Sequence, residues 1–277
     1  MADLAGILFR AAGYETHRVS TRAGSVRVFE GRAQHETLPT IALVHGLSAD
    51  AFGYLPLLQR LRRHARVVAI DLPGHGGSES RDDITLASCV AGGVEALASY
   101  LREPAIIFGN SLGGLTSIRF ALAHPELVRG LFVASPAGAP SSSTELEELI
   151  AKFRIQTPAD ALRFAELIFY TMPTGPIRHL IARDLVRRHK MPSLRALIRD
   201  VPNAKPFEPE ELAHLASIPT YFLWGRSERL LPPTHLDFWK KNLPKATFEE
   251  PWGFGHSPQL DSPNDVARRV IAFAHEH

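Results

Sequence analysis

The stretch Ala105-Ile106-Ile107-Phe108-Gly109-Asn110-Ser111-Leu112-Gly113-Gly114 decides the fold. Its apolar opening, Ala105 to Phe108, reads as a strand buried on both faces, the mark of a parallel sheet. Gly109 to Gly113 matches G-x-S-x-G, and a helix is expected from about Leu115 to Ala123. Strand, tight turn and helix in that order make an elbow that holds a serine hydroxyl out at the end of a sheet. A Cβ at position 109 or 113 would collide with the neighbouring strand or helix, so the glycines belong to the device. Ser111 is the candidate nucleophile.

Outward from the elbow, the same rhythm repeats. Thr40 to Val44, Arg66 to Ile70, Leu131 to Ala134, Thr220 to Trp224 and Ala246 to Glu249 read as further strands. An opening hairpin spans Val19 to Phe29. Leu55 to Leu61, Val90 to Leu101 and Asp265 to His275 carry helical spacing. Strands alternating with helices imply an α/β fold, a mostly parallel sheet flanked by helices.

One segment breaks the alternation. Between Ala139 and Ser217 no strand is evident, Leu146, Leu149, Ile150 and Phe153 sit at helical spacing, and prolines cut the chain into short helices. The expected organisation is a core of residues 1–138 and 218–277 with a helical cap, 139–217, inserted between two strands. Ligands of open α/β sheets bind at the carboxyl ends of the strands, which such a cap would roof.

Composition sets the outer limits. The chain has 277 residues, 45% hydrophobic and 22% charged, with a formal net charge of +2. That charge gives no reason to expect a nucleic-acid partner. A single cysteine, Cys89, rules out an intrachain disulfide. The start of the chain lacks the basic and apolar pattern of a signal peptide, and no apolar run nears the ~20 residues of a membrane span. A soluble, cytoplasmic protein is expected; its oligomeric state is left open.

A serine hydroxyl needs a base. Among 13 histidines, His256 in Gly255-His256-Ser257-Pro258 stands out, because it follows the last strand and precedes the last helix. The base needs a carboxylate to fix its tautomer. Glu228 is the acid in the loop that follows Thr220 to Trp224, and Asp237 and Asp261 are the fallback acids. The oxyanion donors are expected to be backbone N–H groups: Leu112, opening a helix, and Leu47, after His45-Gly46. Asn110 and Phe169 are further candidates for substrate contact. The chemistry requires no metal and no organic cofactor.

Taken together, Leu43-Val44-His45-Gly46, Asp71-Leu72-Pro73-Gly74-His75-Gly76-Gly77-Ser78, the Ser111 elbow, Trp224 to Pro232 and Gly255-His256-Ser257-Pro258 resemble the α/β-hydrolase superfamily, in the family's order. The resemblance implies a catalytic Ser–acid–His set. The acid in that family is usually Asp, where this chain has Glu228. Ser135-Pro136-Ala137-Gly138 and the helical lid look like those of carboxylesterases and monoacylglycerol lipases, which implies a small-molecule ester substrate. The Gly-Asn-Ser elbow also resembles that of C–C bond hydrolases acting on meta-cleavage products, but those usually carry a tryptophan after the histidine, and Ser257 stands here. A ligand-binding signalling protein that keeps the fold is the remaining alternative. Arg178, Arg183, Arg187, Arg188, Lys190, Arg195 and Arg199 make the lid basic. That suits an anionic membrane or substrate, and a solvated helix face is the preferred reading.

Overall fold

The computed structural model describes residues 3–277. The chain opens with α1 (Leu4–Ala11) and an antiparallel hairpin, β1 (Glu15–Thr21) and β2 (Gly24–Gly31). Then come β3 (Ile41–Val44), α2 (Leu55–Leu61), β4 (Val67–Asp71), α3 (Leu86–Tyr100), β5 (Ala105–Asn110), α4 (Leu112–Ala123) and β6 (Val128–Ala134). Five helices follow: α5 (Ser143–Lys152), α6 (Pro158–Ile168), α7 (Gly175–His189), α8 (Pro192–Asp200) and the short α9 (Pro209–Leu212). The chain closes with β7 (Thr220–Leu223), α10 (Pro233–Asn242), β8 (Thr247–Glu249), α11 (Pro258–Asp261) and α12 (Pro263–Glu276).

The eight strands form one sheet in the order β1-β2-β4-β3-β5-β6-β7-β8. β1 and β2 pair antiparallel, as do β2 and β4, and every pairing from β4 to β8 is parallel. The mostly parallel sheet read from the sequence is therefore present. Helices α1 and α10 lay outside that reading, as did the one-turn α11. α1 leaves Leu4 and Ile7 exposed while burying Phe9, and α10 offers little apolar periodicity beyond Leu236 and Trp239. α4 starts at Leu112, earlier than expected, because the chain turns into the helix immediately after Ser111.

Burial explains why the strands read so clearly. β3, β4 and β5 are buried along their whole length, as a sheet covered on both faces requires. One face packs Val44, Ile70, Ile107 and Val133 among the residues of α3 and α4, and the other packs Leu43, Ile106, Phe108 and Phe132 against α2 and α12. The strand order reverses at β3, whose neighbours are β4 and β5. Such a switch point leaves a crevice at the carboxyl ends of the strands. The loops after β3, β5, β7 and β8 open there and carry Leu47, Ser111, Glu228 and His256.

Between β6 and β7 the segment is helical, and it is not packed uniformly. Phe153, Ile155, Ala161, Phe164 and Ala182 form a separate cluster with Leu230. Leu197, Val201, Phe207 and Leu212 instead join the main core cluster that holds α3 and α4. Among the described residues, no helix is long and apolar enough to cross a membrane.

Candidate active site

Ser111 sits between β5 and α4 at φ 56, in the left-handed region where a side chain is strained. Its neighbours permit the turn. A Cβ on Gly109 would lie 2.4 Å from the Gly113 carbonyl oxygen, and one on Gly113 only 2.0 Å from the Val44 carbonyl oxygen. Ser111 N–H donates to Ala134 O at 3.1 Å, tying the elbow to β6. Leu112 opens α4, and a first-turn N–H has no acceptor within its own helix.

His256 and Glu228 come together at the ends of β8 and β7. His256 Nδ1 lies 2.8 Å from Glu228 Oε2, with both side chains almost fully buried. The other carboxylate oxygen, Oε1, accepts Leu230 N–H at 2.8 Å and Leu231 N–H at 3.0 Å. Burial disfavours the Glu228 charge, but His256 and these hydrogen bonds outweigh it and hold the carboxyl below the ordinary glutamate range. Neither fallback acid faces the ring. Asp237 is exposed on α10. Asp261 accepts Gly255 N–H at 2.8 Å and Tyr170 N–H at 2.7 Å, joining the histidine loop to the chain after α6.

Asn110 belongs to the scaffold under the histidine. Its Nδ2 donates to Ala134 O and His256 O, each at 2.9 Å. Its Oδ1 accepts Ser257 Oγ–H and Gln259 Nε2–H, each at 3.0 Å. The residue before the nucleophile therefore pins the loop that carries His256. Sequence reasoning proposed Asn110 for substrate contact and missed Ser257 and Gln259; no local pattern marks residues that meet across 147 and 149 positions.

The loop after β3 is fixed by a histidine of its own. Leu72 N–H donates to His45 Nε2 at 2.9 Å, so the ring proton is on Nδ1, which donates to Gly46 O at 2.8 Å. Burial pushes His45 down to about 4, so it stays neutral near pH 7. In a trans peptide the N–H points opposite the carbonyl, so the Leu47 N–H faces away from His45. Gly46 passes close to the nucleophile: a Cβ there would lie 3.1 Å from Ser111 Cβ.

Two cavities meet at Ser111. One, of about 330 Å³, is lined by Ser111, His256, Phe164, Ile168, Phe169 and Arg188, among others. The second, of about 280 Å³, is lined by Ser111, Leu112, Leu115, Leu146, Leu149 and Val201, among others. Leu47, Phe153 and Leu230 border both. Phe169 thus faces a cavity shared with Ser111, whereas Tyr170 is largely exposed. Several lid cations are paired: Arg178 with Glu166, Arg187 with Asp184, and Arg188 with both Asp184 and Asp50.

Other proteins share this frame. A pimeloyl-[acyl-carrier protein] methyl ester esterase of Yersinia pseudotuberculosis is 26% identical over 245 residues, 86% of this chain and 93% of the esterase. A monoacylglycerol lipase of Mus musculus is 26% identical over 266 residues, 88% of this chain and 77% of the lipase. The crystal structure of a membrane phospholipase A, described as a bacterial virulence factor, superposes with a TM-score of 0.83 at 23% identity, covering 99% of this chain and 92% of that one. The resemblance first carried by the Ser111 elbow extends from β3 to β8: residues 41–269 match the family's model, and the chain belongs to the alpha/beta hydrolase family.

Proposed function

We propose that the chain is a serine hydrolase that cleaves a small to medium apolar carboxylic ester, with Ser111 as nucleophile, His256 as base and Glu228 as the acid that orients it. The observation that carries this reading is that a strained Ser111 opens on the same cavity as a buried His256 whose Nδ1 is held by Glu228. With Nδ1–H donated to Glu228, Nε2 is the free base. It takes the Ser111 proton as Oγ attacks the ester carbonyl. The oxygen of the tetrahedral intermediate takes up negative charge, which the Leu112 and Leu47 N–H groups stabilise. Collapse expels the alcohol, protonated by His256, and leaves an acyl-enzyme. Water, deprotonated by His256, then attacks the acyl carbon, and Ser111 leaves with the proton.

The leaving oxygen must come within reach of His256. The alcohol half therefore belongs in the cavity that His256 lines, and the acyl half in the apolar cavity beside Leu112 and Leu115. The names of the Yersinia and mouse relatives support ester chemistry. The C–C bond reading is disfavoured because the Asn110 amide is engaged within the protein and Ser257 follows the histidine.

The test is hydrolysis of p-nitrophenyl esters of graded acyl length, with fluorophosphonate labelling. Ser111→Ala is expected to abolish labelling and cut kcat by roughly 10⁶-fold, the scale for loss of a triad nucleophile. Glu228→Ala should cost about 10⁴-fold. Full activity in Glu228→Ala would remove Glu228 from the set. Labelling without ester turnover would move the reading to C–C bonds, and neither labelling nor turnover would favour a binding protein.

A further inference from the structure

The loop bearing Leu47 is gripped from two sides. The sheet side holds its ends: His45 Nδ1–H bonds Gly46 O, and Ala51 N–H donates to Asp71 Oδ1 at 2.8 Å. The middle is held from above, by consecutive residues of α7. Arg188 Nη2 lies 2.7 Å from Asp50 Oδ2, and His189 Nε2 lies 3.1 Å from Ser48 Oγ. Ser48, Asp50 and His189 are buried, and the Arg188 side chain is only 15% exposed. Ser48 stands at φ 66, a strained conformation for serine that its surroundings must impose. A buried ion pair is costly to break from one side, because the remaining charge is stranded. Arg188 Nε is also paired with Asp184, one helical turn back on α7, so the guanidinium is fixed before it reaches Asp50.

We propose that Arg188 and His189 are positioning residues, and that the oxyanion hole is complete only while α7 is seated on the Ser48–Asp50 loop. The proposal rests on the serine-hydrolase reading above. Ile181 and Leu185 of α7 also line the cavity assigned to the alcohol. A substrate filling that cavity presses on the helix that sets the loop, so occupancy of one half of the site tunes transition-state stabilisation in the other. The effect falls on kcat, because the Leu47 N–H acts on charge that develops only in the transition state.

The test combines kinetics on p-nitrophenyl acetate, whose p-nitrophenyl half enters the cavity that Arg188 also lines, with hydrogen exchange of the free protein. Arg188→Met is expected to lower kcat about tenfold or more, part of the 10²–10³-fold that a lost oxyanion donor costs. KM should change less than about twofold, as for an interaction made only in the transition state. Arg188→Lys should recover part of the loss, and Asp50→Asn combined with Arg188→Met should lose no more than Arg188→Met alone. Exchange of amides 46–51 should rise in Arg188→Met while α3 is unchanged. Ser48→Ala, which strands no charge, serves if Arg188→Met does not fold, with the same exchange signature expected. A raised KM at constant kcat would make Arg188 a substrate contact and overturn the proposal, as would additive losses or unchanged exchange at 46–51. Exchange needs no turnover, so a wild type inactive on esters would sink the hydrolase reading while the loop contact is still decided.

Discussion

The two halves of the helical segment between β6 and β7 are held by different forces. Leu197 and Val201 of the α8 end, with Phe207 and Leu212 beyond it, are packed into the main core with α3 and α4. Ser193 Oγ–H also donates to Gly74 O at 2.8 Å, and Leu86 N–H to Asp200 Oδ2 at 2.7 Å. Helices α6 and α7, with Phe153 and Ile155, keep a small cluster of their own; α5 bridges, its Leu146, Leu149 and Ile150 packing against the main core, and polar contacts add to the attachment: Lys152 Nζ to Leu230 O, Tyr170 N–H to Asp261, Arg188 to Asp50. Apolar burial is non-directional and is lost in proportion to area, whereas a hydrogen bond exchanged with water nets only about 1 kcal/mol. The difference teaches that the segment between β6 and β7 is joined to the main core at one end and keeps a separate apolar cluster at the other, and that the second part, the roof, lines a cavity at Ser111 while the first is its wall.

The largest effect should come from the wall. Phe207→Ala, which removes a side chain buried to 1% exposure, should lower global stability by about 3–5 kcal/mol in urea unfolding. A loss near zero would mean the α8–α9 half is not part of the core. Phe164→Ala removes an equally large ring from the roof cluster. It should speed amide exchange across α6 and α7 while costing about 1–2 kcal/mol less than Phe207→Ala in global unfolding, because its cluster is separate from the main core. Equal global losses would erase the distinction.

Glu228 tests the seam, because Leu230 packs in the roof cluster and Leu231 in the sheet core. Its carboxyl is held below its ordinary value, so its stabilising contribution is full above the ordinary glutamate range and is lost as pH falls through the folded value. Glu228→Gln should flatten the fall in stability below about pH 4.5; an unchanged acid limb would show that Glu228 is not depressed. The smallest effect belongs to Asp261→Asn. The amide keeps one acceptor for Gly255 and Tyr170, so about 1 kcal/mol should be lost, read as faster exchange of the Tyr170 amide. Unaltered exchange there would remove Asp261 from the roof's attachments.

Much of this molecule is legible in its sequence because the sheet is buried on both faces. β3, β4 and β5 are continuous apolar runs, and the glycines around Ser111 announce the elbow. His256 and Glu228 could be picked by their places after strands, without any knowledge of contacts. What stayed hidden has one physical cause: residues that meet across long separations through single polar atoms leave no periodicity. Asn110 with Gln259, and Ser48 with His189, are 149 and 141 positions apart. The same holds for the division of the segment between β6 and β7. Leu146, Leu149 and Phe153 share one helical spacing, yet Leu146 packs on the main core, Phe153 in the separate cluster and Leu149 against both, and spacing says nothing about which neighbour covers a face.

The walls that border both cavities bear on how selectivity can change over evolutionary time or in a directed-evolution library. Leu47, Phe153 and Leu230 touch both compartments, so a substitution at any of them alters preference for the two halves of a substrate together and makes later changes context-dependent. Leu86 and Leu146 border one compartment, Phe52 and Ile181 the other. Variation at Leu86, Leu146 and Phe52 reshapes one compartment at a time, whereas Ile181 lies on α7, which also holds the Ser48–Asp50 loop, so a change there is expected to reach beyond its own compartment.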